Sequence, residues 1–327
     1  MRVLARALEN LGHTVAFETP RLRLPVYTAE RLLFNRSLRA ADGLTVGFDM
    51  DGYRIAGASS SHVAALKGVI ADEARFEAGL TRLTMMMQAR RERLHVERAA
   101  RVLVTSRYSG ERAQEFYGLT RAPIVVPELI DLAEWRRLLD RHPACASRFT
   151  VLFVGRLYRR KRLDVLLRAA AILRESIRDL EIRIVGDGPC APALRRLSRT
   201  LRLASVVTWL GNVTRAELAA EYNRAAVFCL PSVQEGFGIV LLEAMAAGKP
   251  IVAARAAAIP EVAPHGMLVA PDDPEALAAA IAPLYGSAEA RAGLARTGAA
   301  WVERFDAPRV AQLFLEAATG HEVVRAT

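Results

Sequence analysis

The sequence has few cysteines, few lysines and few aromatic residues, and it has no long apolar run. Its three cysteines, Cys145, Cys190 and Cys229, are odd in number and widely spaced, which argues against a disulfide framework and a cysteine-based zinc site. The longest apolar stretches, at 225–231 and 238–242, fall well short of the roughly 20 residues that cross a bilayer. Residues 1–11 also lack the apolar core of a signal peptide. We therefore expect a cytoplasmic protein.

The length and the apolar content predict a globular protein of two domains. The 327 residues suffice for two ordinary domains, and a hydrophobic content of 52% is too high for a disordered chain. The formal net charge is +10, but basic residues are spread over both halves and aromatic residues make up only 6%. Without a basic arm or a zinc-finger spacing, we expect no nucleic-acid binding. Attraction to an anionic lipid or to an acidic substrate stays open.

In the second half, short apolar strands alternate with longer amphipathic segments, which is typical of a parallel sheet with crossover helices. The predicted strands are 150–155, 181–186, 206–210, 226–231, 250–253 and 267–270, and the predicted helices are 161–175, 191–202, 215–224 and 238–247. After Pro274 the sequence turns alanine-rich and helical, with a break near Phe305 and Pro308. The pattern predicts a doubly wound α/β domain over residues 149–304.

The first half is less regular, but it also reads as α/β. The predicted strands are 14–18, 44–48, 63–66, 102–105 and 124–126, with a long helical tract over 69–100. The polar segment 136–148 is the best candidate linker, which places the boundary of the first domain, 1–148, near residue 148. We expect residues 305–327 to form a helix that packs back on the first domain.

The most informative loop follows the predicted strand 226–231. Gly236 and Gly238 permit close backbone approach, and Gly238 opens a helix whose N-terminus can receive a phosphate. Glu243 lies among apolar residues of that helix, where a carboxylate needs a partner. Taken alone, Glu243 would meet an arginine or a backbone group, and Glu235 would be a solvated loop acid. The glycine loop favours the alternative, in which both carboxylates accept hydrogen bonds from ligand hydroxyls.

Two further loops join strands to helices in this half. One runs from Gly155 to Arg162 and places Arg156 and Lys161 where a diphosphate is neutralised, although a solvated basic run explains the same charges. The other is the turn 186–189, with the sequence glycine, aspartate, glycine, proline, which alone is only a turn signal.

These loops, in this order, resemble the donor-binding half of the glycosyltransferases of family 4, which are retaining enzymes with the GT-B fold of two Rossmann-like domains facing across a cleft. The resemblance covers about residues 149–285. It rests on the two glutamates Glu235 and Glu243, on Gly155, Arg156 and Leu157 with the downstream Lys161, and on the turn 186–189.

The resemblance implies a role for each motif residue. Glu243 would bind the ribose hydroxyls of a nucleotide and Glu235 the transferred sugar, while Arg156 and Lys161 would bind the diphosphate. Residues of the glycine loops and residues beside the base would complete the donor site: Gly155, Asn212, Val213, Gly236, Phe237, Gly238 and Ile239. Arg162 departs from the family, which usually has glycine after the lysine, so the resemblance does not fix the loop geometry there.

The first half matches the family less well. Residues 4–15 resemble the end of the family's first helix and its second strand, but the preceding strand and glycine loop are absent. We expect a translation start upstream of Met1, in preference to a truncated domain, because loss of a central strand exposes sheet edges. Lys67 stands where the family commonly has histidine, near the reacting end of the sugar, and is a candidate site residue.

Other polar residues of the first half have simpler explanations. Asp49 and Asp51 fit turn-forming acids before Gly52 better than cleft residues, and Ser106 fits a helix N-cap as well as a family position. The basic tract 82–101 fits a solvated helix face better than a membrane-facing one, so a peripheral membrane contact is a secondary expectation.

We therefore predict a retaining glycosyltransferase that uses a UDP- or GDP-sugar, with no metal or other cofactor. The acceptor is open among a glycan, a lipid and a small molecule, and so is the oligomeric state. A non-catalytic nucleotide-sugar binding protein is the main alternative, because the first domain lacks an element. A nucleotide-sugar hydrolase and a phosphorylase are the related enzymes, although Lys249 gives no support to a pyridoxal-dependent phosphorylase.

Overall fold

A computed structural model describes residues 1–20, 24, 27–39, 41–58 and 61–320 of the chain. The part of the chain up to Leu129 contains five helices and four strands in these residues: α1 (Arg2–Asn10), α2 (Tyr27–Ser37), β1 (Thr45–Phe48), β2 (His62–Leu66), α3 (Ile70–Glu73), α4 (Gly79–Arg98), β3 (Arg101–Val104), α5 (Arg107–Tyr117) and β4 (Ile124–Val125).

The rest of the chain alternates helices with strands as far as Gly286 and then ends in further helices. The elements in chain order are α6 (Leu132–Arg141), β5 (Phe149–Val154), α7 (Leu163–Leu173), β6 (Leu180–Val185), α8 (Ala191–Thr200), β7 (Val207–Gly211), α9 (Arg215–Arg224), β8 (Val227–Leu230), α10 (Ile239–Ala246), β9 (Ile251–Ala254), α11 (Ile259–Val262), β10 (Met267–Val269), α12 (Pro274–Gly286), α13 (Ala288–Val302) and α14 (Ala307–Thr319).

The chain divides into two units, and the division falls between Leu129 and Ile130, not near residue 148. The segment 136–148, predicted as a linker, begins within α6, which extends to Arg141, and the whole segment belongs to the second unit. Asp131 caps α6 by accepting a hydrogen bond from the backbone N–H of Glu134, and Trp135 is fully buried in the core of the second unit. The linker prediction was incorrect because most residues of the segment are polar, and the composition did not show that α6 is attached to the core through Trp135.

The first unit is built on a parallel sheet with the strand order β1-β2-β3-β4. Its strand β2 is buried along its whole length, and its apolar residues 63–66 fit a sheet that is covered on both faces. Four of the five predicted strands are confirmed. The strand predicted at 14–18 is not formed, since the described residues there are mostly exposed and pair with no neighbouring strand.

The long helical tract of the first unit is interrupted. The helix α3 continues into a 3-10 turn at Ala74–Phe76, and the extended backbone at Glu77 and Ala78 separates this turn from α4. Helix α14 also belongs to the first unit, where it contacts α1 and β3 and buries Phe314. The last seven residues of the predicted 305–327 segment lie outside the described part of the chain.

The second unit contains a parallel sheet with the strand order β10-β9-β8-β5-β6-β7. All six strands predicted for this half are confirmed, within one or two residues at their ends. Strand β5 is fully buried and lies at the centre, which fits a sequence that is apolar except for Thr150. Thr214 and Glu217 form a capping box at the start of α9. None of the helices in the described residues has the length and apolar character needed to cross a membrane.

Two buried histidines join β2 and α4 in the first unit. The Nε2 atoms of His62 and His95 are 2.8 Å apart, and Nδ1 of His95 lies 2.6 Å from the carbonyl oxygen of Asp49. Because a carbonyl only accepts, His95 donates through Nδ1, and its Nε2 therefore accepts from His62. Nδ1 of His62 then accepts from the hydroxyl of Thr45, at 2.8 Å. Each ring is neutral in this arrangement, and a proton on Nε2 of His95 breaks it.

We expect acid to destabilise the first unit through these rings. Burial lowers the pKa of His95 from 6.5 to about 4 and also lowers the pKa of His62. Between these values the unfolded chain binds a proton that the folded chain excludes, so stability falls as the pH falls, by up to about 3 kcal/mol for His95. Titration of the ring signals of His95 and His62 by NMR measures this directly. A His95 ring that titrates at 6.5 or above contradicts the prediction.

Candidate functional site

The candidate site lies at the point in the second unit's sheet where the strand order reverses. From the central strand β5 the chain continues outward to β6 and β7 on one side, and then returns to β8 beside β5 and continues to β9 and β10 on the other. The loops after β5 and β8 therefore diverge at the carboxyl edge of the sheet and leave a crevice between them, which is where open α/β sheets bind ligands. These are the two loops that carry the predicted site residues.

The loop after β5 rests on the turn that follows β6. At Gly186 the backbone has a φ of +117°, and a Cβ atom there would lie 2.1 Å from the carbonyl oxygen of Gly155. The backbone N–H of Leu157 donates to the carbonyl of Asp187 over 3.0 Å. Only glycine permits this approach at position 186. The turn 186–189 is thus more than a chain reversal, since it supports the loop that carries Arg156 and Lys161.

A buried ion pair joins the two loops at the crevice. The Nζ atom of Lys161 donates to Oε1 of Glu235 over 2.7 Å, and the side chains are 14% and 7% exposed. The backbone adds a second link, because the N–H of Val233 donates to the carbonyl of Arg160 over 2.9 Å. Glu235 is therefore not a solvated loop acid. Its contact with Lys161 was not predicted, because 74 residues separate the two in the chain.

The other basic residues of the loop after β5 are more accessible. Arg156 is exposed, and its guanidinium lies 5.3 Å from the centre of the Tyr158 ring. The guanidinium of Arg160 lies 4.8 Å from the same ring. Tyr158 thus holds two cationic side chains near the mouth of the crevice, a contact worth about 0.5–1 kcal/mol at an exposed site.

The loop after β8 is packed, although it is rich in polar residues. Ser232, Gln234, Glu235 and Phe237 are all buried, and the ring of Phe237 stacks edge-on against that of Phe305 with centroids 5.6 Å apart. The backbone N–H of Ala258 donates to the carbonyl of Glu235 over 3.3 Å. The loop is therefore preformed. Sequence reasoning missed the buried Ser232 and Gln234, because nothing in their residue types distinguishes them from surface polar groups.

Helix α10 begins at this loop. Gly238 is its N-cap and has a φ of +90°, and a Cβ there would lie 3.2 Å from Cδ1 of Leu241. The next residue, Ile239, is 44% exposed, so the start of the helix is open to solvent. The first N–H groups of a helix lack carbonyl partners within it, and the helix dipole favours an anion there. The N–H groups near Gly236 to Ile239 are therefore suited to a phosphate.

Glu243 lies one turn further along α10 and has two partners. The hydroxyl of Tyr222 donates to its Oε2 over 3.1 Å, and a guanidinium nitrogen of Arg215 lies 3.7 Å from its Oε1. Burial raises the pKa of Glu243, and these two contacts oppose that rise. The arginine contact expected for a buried carboxylate is thus present. The role of Glu243 toward a ribose stays a prediction.

The remaining predicted donor residues lie on the same edge of the sheet. Asn212 is exposed and Val213 packs partly against the core, both directly after β7 and its terminal Gly211. The contacts of Tyr222 and Arg215 with Glu243 were not predicted. Both residues lie on α9, for which the sequence predicted a helix but no role in the site. A helical pattern shows that these residues share an element, but it does not show which neighbouring element they face.

Arg162 shows why its position is usually glycine in the resembled family. Its backbone is left-handed, with φ +48° and ψ +39°, a conformation that residues with a Cβ adopt at a cost. Its guanidinium Nε lies 2.8 Å from Oδ1 of Asp272, and a second nitrogen lies 3.5 Å from Asp164. The loop therefore retains the glycine-type geometry, and ion pairs partly compensate for the strain.

We expect Arg162→Gly to be more stable than Arg162→Ala by about 1 kcal/mol, because both lose the ion pairs and only glycine relieves the strain. Urea unfolding followed by circular dichroism measures the difference. At Arg168, an exposed position within α7, the order should reverse, since glycine in a helix costs about 1 kcal/mol relative to alanine. The same order at both positions would show that the backbone of Arg162 is not strained.

Lys67 belongs to the first unit and follows β2. Its Nζ donates to Oε1 of Glu128 over 2.7 Å, and its backbone N–H donates to Oδ1 of Asp49 over 2.9 Å. Burial raises the pKa of Asp49 to about 6. The side chain of Lys67 is 39% exposed, and its role in a donor or acceptor site stays a prediction.

Two other polar residues of the first unit, Asp51 and Ser106, have structural partners. Asp51 forms an ion pair with Arg31 and accepts a hydrogen bond from Asn35 over 2.9 Å, so it fixes a turn as the simpler explanation predicts. Ser106 is the N-cap of α5 and accepts from the N–H of Ser109 over 3.0 Å. Among the residues that the structure describes, no group of three histidine, cysteine or acidic side chains is arranged to hold a metal ion.

Comparison with known sequences identifies the second unit. The sequence model described as "Glycosyl transferases group 1" matches residues 148–287. A D-inositol 3-phosphate glycosyltransferase of Pseudarthrobacter chlorophenolicus is 32% identical over 234 residues, which cover 68% of this chain and 56% of the relative. The chain spans about half the length of the curated relatives that it matches.

Solved structures show the same fold. A sucrose-phosphate synthase of Thermosynechococcus elongatus superposes with a TM-score of 0.77 at 21% identity, covering 98% of this chain and 92% of the other. Anabaena HepE in complex with UDP-glucose superposes with a TM-score of 0.68 at 21% identity, covering 84% and 78%. These similarities confirm the predicted fold class, two Rossmann-like α/β domains as in GT-B glycosyltransferases.

Proposed function

The second unit belongs to the group 1 glycosyl transferases, and we propose on that premise that the chain transfers a sugar from a nucleoside diphosphate sugar to an acceptor hydroxyl, with retention of the anomeric configuration. The observation that carries the proposal is the Lys161–Glu235 ion pair, which joins the two loops of the crevice beside the N-terminus of α10. A buried cation, a carboxylate and open backbone N–H groups at one sheet edge match the charges and hydroxyls of such a donor.

The chemistry centres on the leaving diphosphate. As the bond from the anomeric carbon to the diphosphate oxygen breaks, negative charge develops on that oxygen. Lys161, Arg156 and the N–H groups at the start of α10 would stabilise this charge in place of a metal ion. Because Lys161 is held by Glu235 and the loop is packed, these groups need little rearrangement, which is the condition for effective electrostatic stabilisation.

Glu235 and Glu243 would hold the neutral parts of the donor. In the proposed site, Glu235 accepts hydrogen bonds from sugar hydroxyls and Glu243 accepts them from the ribose, while Asn212 and Val213 border the base. Tyr222 keeps the Glu243 carboxylate in one orientation, since it donates to Oε2 and leaves Oε1 directed toward Arg215. A carboxylate oxygen held in one orientation would favour a ligand with a hydroxyl at that position over an analogue without that hydroxyl.

The names of the similar proteins suggest which substrates to test first. HepE has been solved with UDP-glucose, and the relative from Pseudarthrobacter is named D-inositol 3-phosphate glycosyltransferase. We propose UDP- and GDP-sugars as donors, and inositol 3-phosphate as the first acceptor to test. Lys67, in the first unit, is the proposed contact to the acceptor or to the reacting sugar.

We expect UDP or GDP to stabilise the chain and Glu243→Ala to weaken this binding. Nucleotide at about 100 times its dissociation constant adds about 2.7 kcal/mol to stability. A hydrogen bond to a charged group contributes about 1.5–3 kcal/mol, so the loss of Glu243 should weaken binding by about tenfold or more. Thermal-shift titration with UDP, GDP, ADP and TDP measures both effects. Glu175→Ala, at a side chain that is 76% exposed, is the control.

No shift with any of these nucleotides, in a protein that melts cooperatively, would overturn the donor site. Equal affinity in the Glu243 and Glu175 variants would overturn only the assignment of Glu243. The nucleotide that gives the largest shift would identify the base of the donor and decide between uridine and guanosine sugars.

We expect Lys161→Ala and Arg156→Ala to lower kcat, by about 100-fold or more for the buried Lys161, because each removes a preorganised positive charge from the leaving group. Release of nucleoside diphosphate from the preferred donor, with inositol 3-phosphate and with water as acceptors, measures the rate. Arg159→Ala removes an exposed charge from the same loop and serves as the control. Melting curves of each variant separate a loss of folding from a loss of catalysis.

Unchanged turnover in both the Lys161 and Arg156 variants would contradict the assignment. Nucleotide binding with no turnover under any condition would favour the alternative of a non-catalytic binding protein. Sugar transfer to water or to inorganic phosphate alone would instead favour a hydrolase or a phosphorylase.

A further inference from the structure

Arg215 lies beside Glu243, and its N–H groups are open to a ligand. It is the first residue of α9 and comes directly after the loop that contains Asn212 and Val213. A guanidinium nitrogen is 3.7 Å from Oε1 of Glu243, which is an ion-pair distance but too long for a hydrogen bond. The guanidinium makes no hydrogen bond to any residue that the structure describes, and the side chain is 48% exposed. Arg215 can therefore donate to a ligand at the carboxyl edge of the sheet.

The buried ring of Trp135 holds Arg215 and Glu243 together. The guanidinium of Arg215 lies 4.9 Å from the centre of this ring, within the range of a cation–π contact. Nε1 of the same ring donates to the backbone carbonyl of Glu243 over 3.1 Å. The ring of Tyr222 meets that of Trp135 edge-on, with centroids 5.6 Å apart. One indole on α6 thus contacts both the arginine and the residue that carries the carboxylate.

The carboxylate of Glu243 and the guanidinium of Arg215 form an incomplete hydrogen-bonding pair. Oε2 of Glu243 accepts from Tyr222, whereas the polar partner of Oε1 is the arginine nitrogen at 3.7 Å. A hydroxyl oxygen at about 2.8 Å from both atoms would complete the pair, because a hydroxyl donates through its O–H and accepts through its lone pairs. A phosphate oxygen only accepts, and the carboxylate would repel it. The pair is therefore complementary to a hydroxyl.

We propose that Arg215 determines the specificity of the donor site for ribose, by donating to the same hydroxyl that donates to Oε1 of Glu243, and that Trp135 is the positioning residue for both. This inference rests on the proposed function and adds to its site one residue from α6 and one from α9. If Arg215 only neutralised Glu243, its loss would weaken all nucleotides equally. If the two residues share a hydroxyl, the loss of Arg215 should weaken a ribonucleotide more than the analogue that lacks this hydroxyl.

Nucleotide affinities of the full chain test the proposal. Isothermal titration calorimetry gives the dissociation constants of UDP and GDP and of their 2′-deoxy and 3′-deoxy analogues. For the base that binds more tightly, we expect the wild-type chain to prefer the ribonucleotide about 100-fold over one of the two analogues, since two hydrogen bonds to charged groups are lost. Arg215→Ala should reduce this preference to about tenfold, and Glu243→Ala with Arg215→Ala should abolish it.

The positioning role of Trp135 has its own variant. Trp135→Phe keeps an aromatic ring but removes the N–H group, and we expect it to lower the preference for the ribonucleotide about threefold, because Glu243 loses a fixed contact. A merely structural role would lower the melting temperature without changing the ratio of the two affinities. Arg215→Lys retains the charge but not the planar group that stacks on the ring, so its preference should lie between those of the wild-type chain and Arg215→Ala.

The second unit offers a matched control in Trp301 and Arg304. Nε1 of Trp301 donates to the backbone carbonyl of Val262 over 3.0 Å, and the guanidinium of Arg304 lies 3.7 Å from the centre of the Trp301 ring. This pair has the same two contacts as Trp135 and Arg215, but the carbonyl belongs to a residue outside the proposed site. Trp301→Phe and Arg304→Ala should therefore leave the preference unchanged. Melting curves of every variant verify that it folds.

Four results would overturn the proposal or a part of it. Nucleotide binding by Arg215→Ala with the wild-type preference would show that Arg215 shares no hydroxyl with Glu243, and it would leave the proposed function intact. An unchanged preference in Trp135→Phe would remove the positioning role. An equal loss of preference in Arg304→Ala would show that the effect is not specific to the site. No binding of UDP or GDP by the wild-type chain would contradict the proposed function and this inference together.

Discussion

The candidate site depends on the parallel pairing of β5 with β8 at the centre of the second unit's sheet. Because the chain leaves this pair in opposite directions, the loops that follow the two strands must diverge. The Lys161–Glu235 ion pair and the bond between Val233 and Arg160 then hold these loops at a fixed separation. The glycine turn after β6, the start of α10 and the Tyr222–Glu243 contact all take their positions from this arrangement.

Burying charge in such a site is costly, and that cost argues for a functional purpose. A buried ion pair is often no more stabilising than the apolar residues that would replace it. The second unit has a large apolar core in β5, β8 and their neighbours, so its fold has no evident need of Lys161 or Glu235. The polar groups collected in the loop after β8 are better explained as a preformed binding surface than as a means of holding the sheet together.

The sequence predicts the elements of the second unit well, because most of its strands are short apolar runs that alternate with longer amphipathic segments. It predicts contacts poorly. Lys161 and Glu235 are 74 residues apart, and His62 and His95 are 33 residues apart, so no local pattern connects them. The incorrect linker at 136–148 and the strand at 14–18 have a common cause. Local composition does not show whether a neighbouring strand or core exists to receive a segment.

The positive charge of the chain illustrates the same limit. The net charge of +10 does not by itself indicate a function, because the arginines of the chain occupy different environments. Arg183 is enclosed by Glu181 and Glu221 and is neutralised within the second unit. Arg162 compensates for backbone strain by pairing with Asp272, whereas the arginines of α4 are gathered on one exposed helix face. What a basic residue does is thus determined by the carboxylates and the solvent around it, and only the folded chain supplies both.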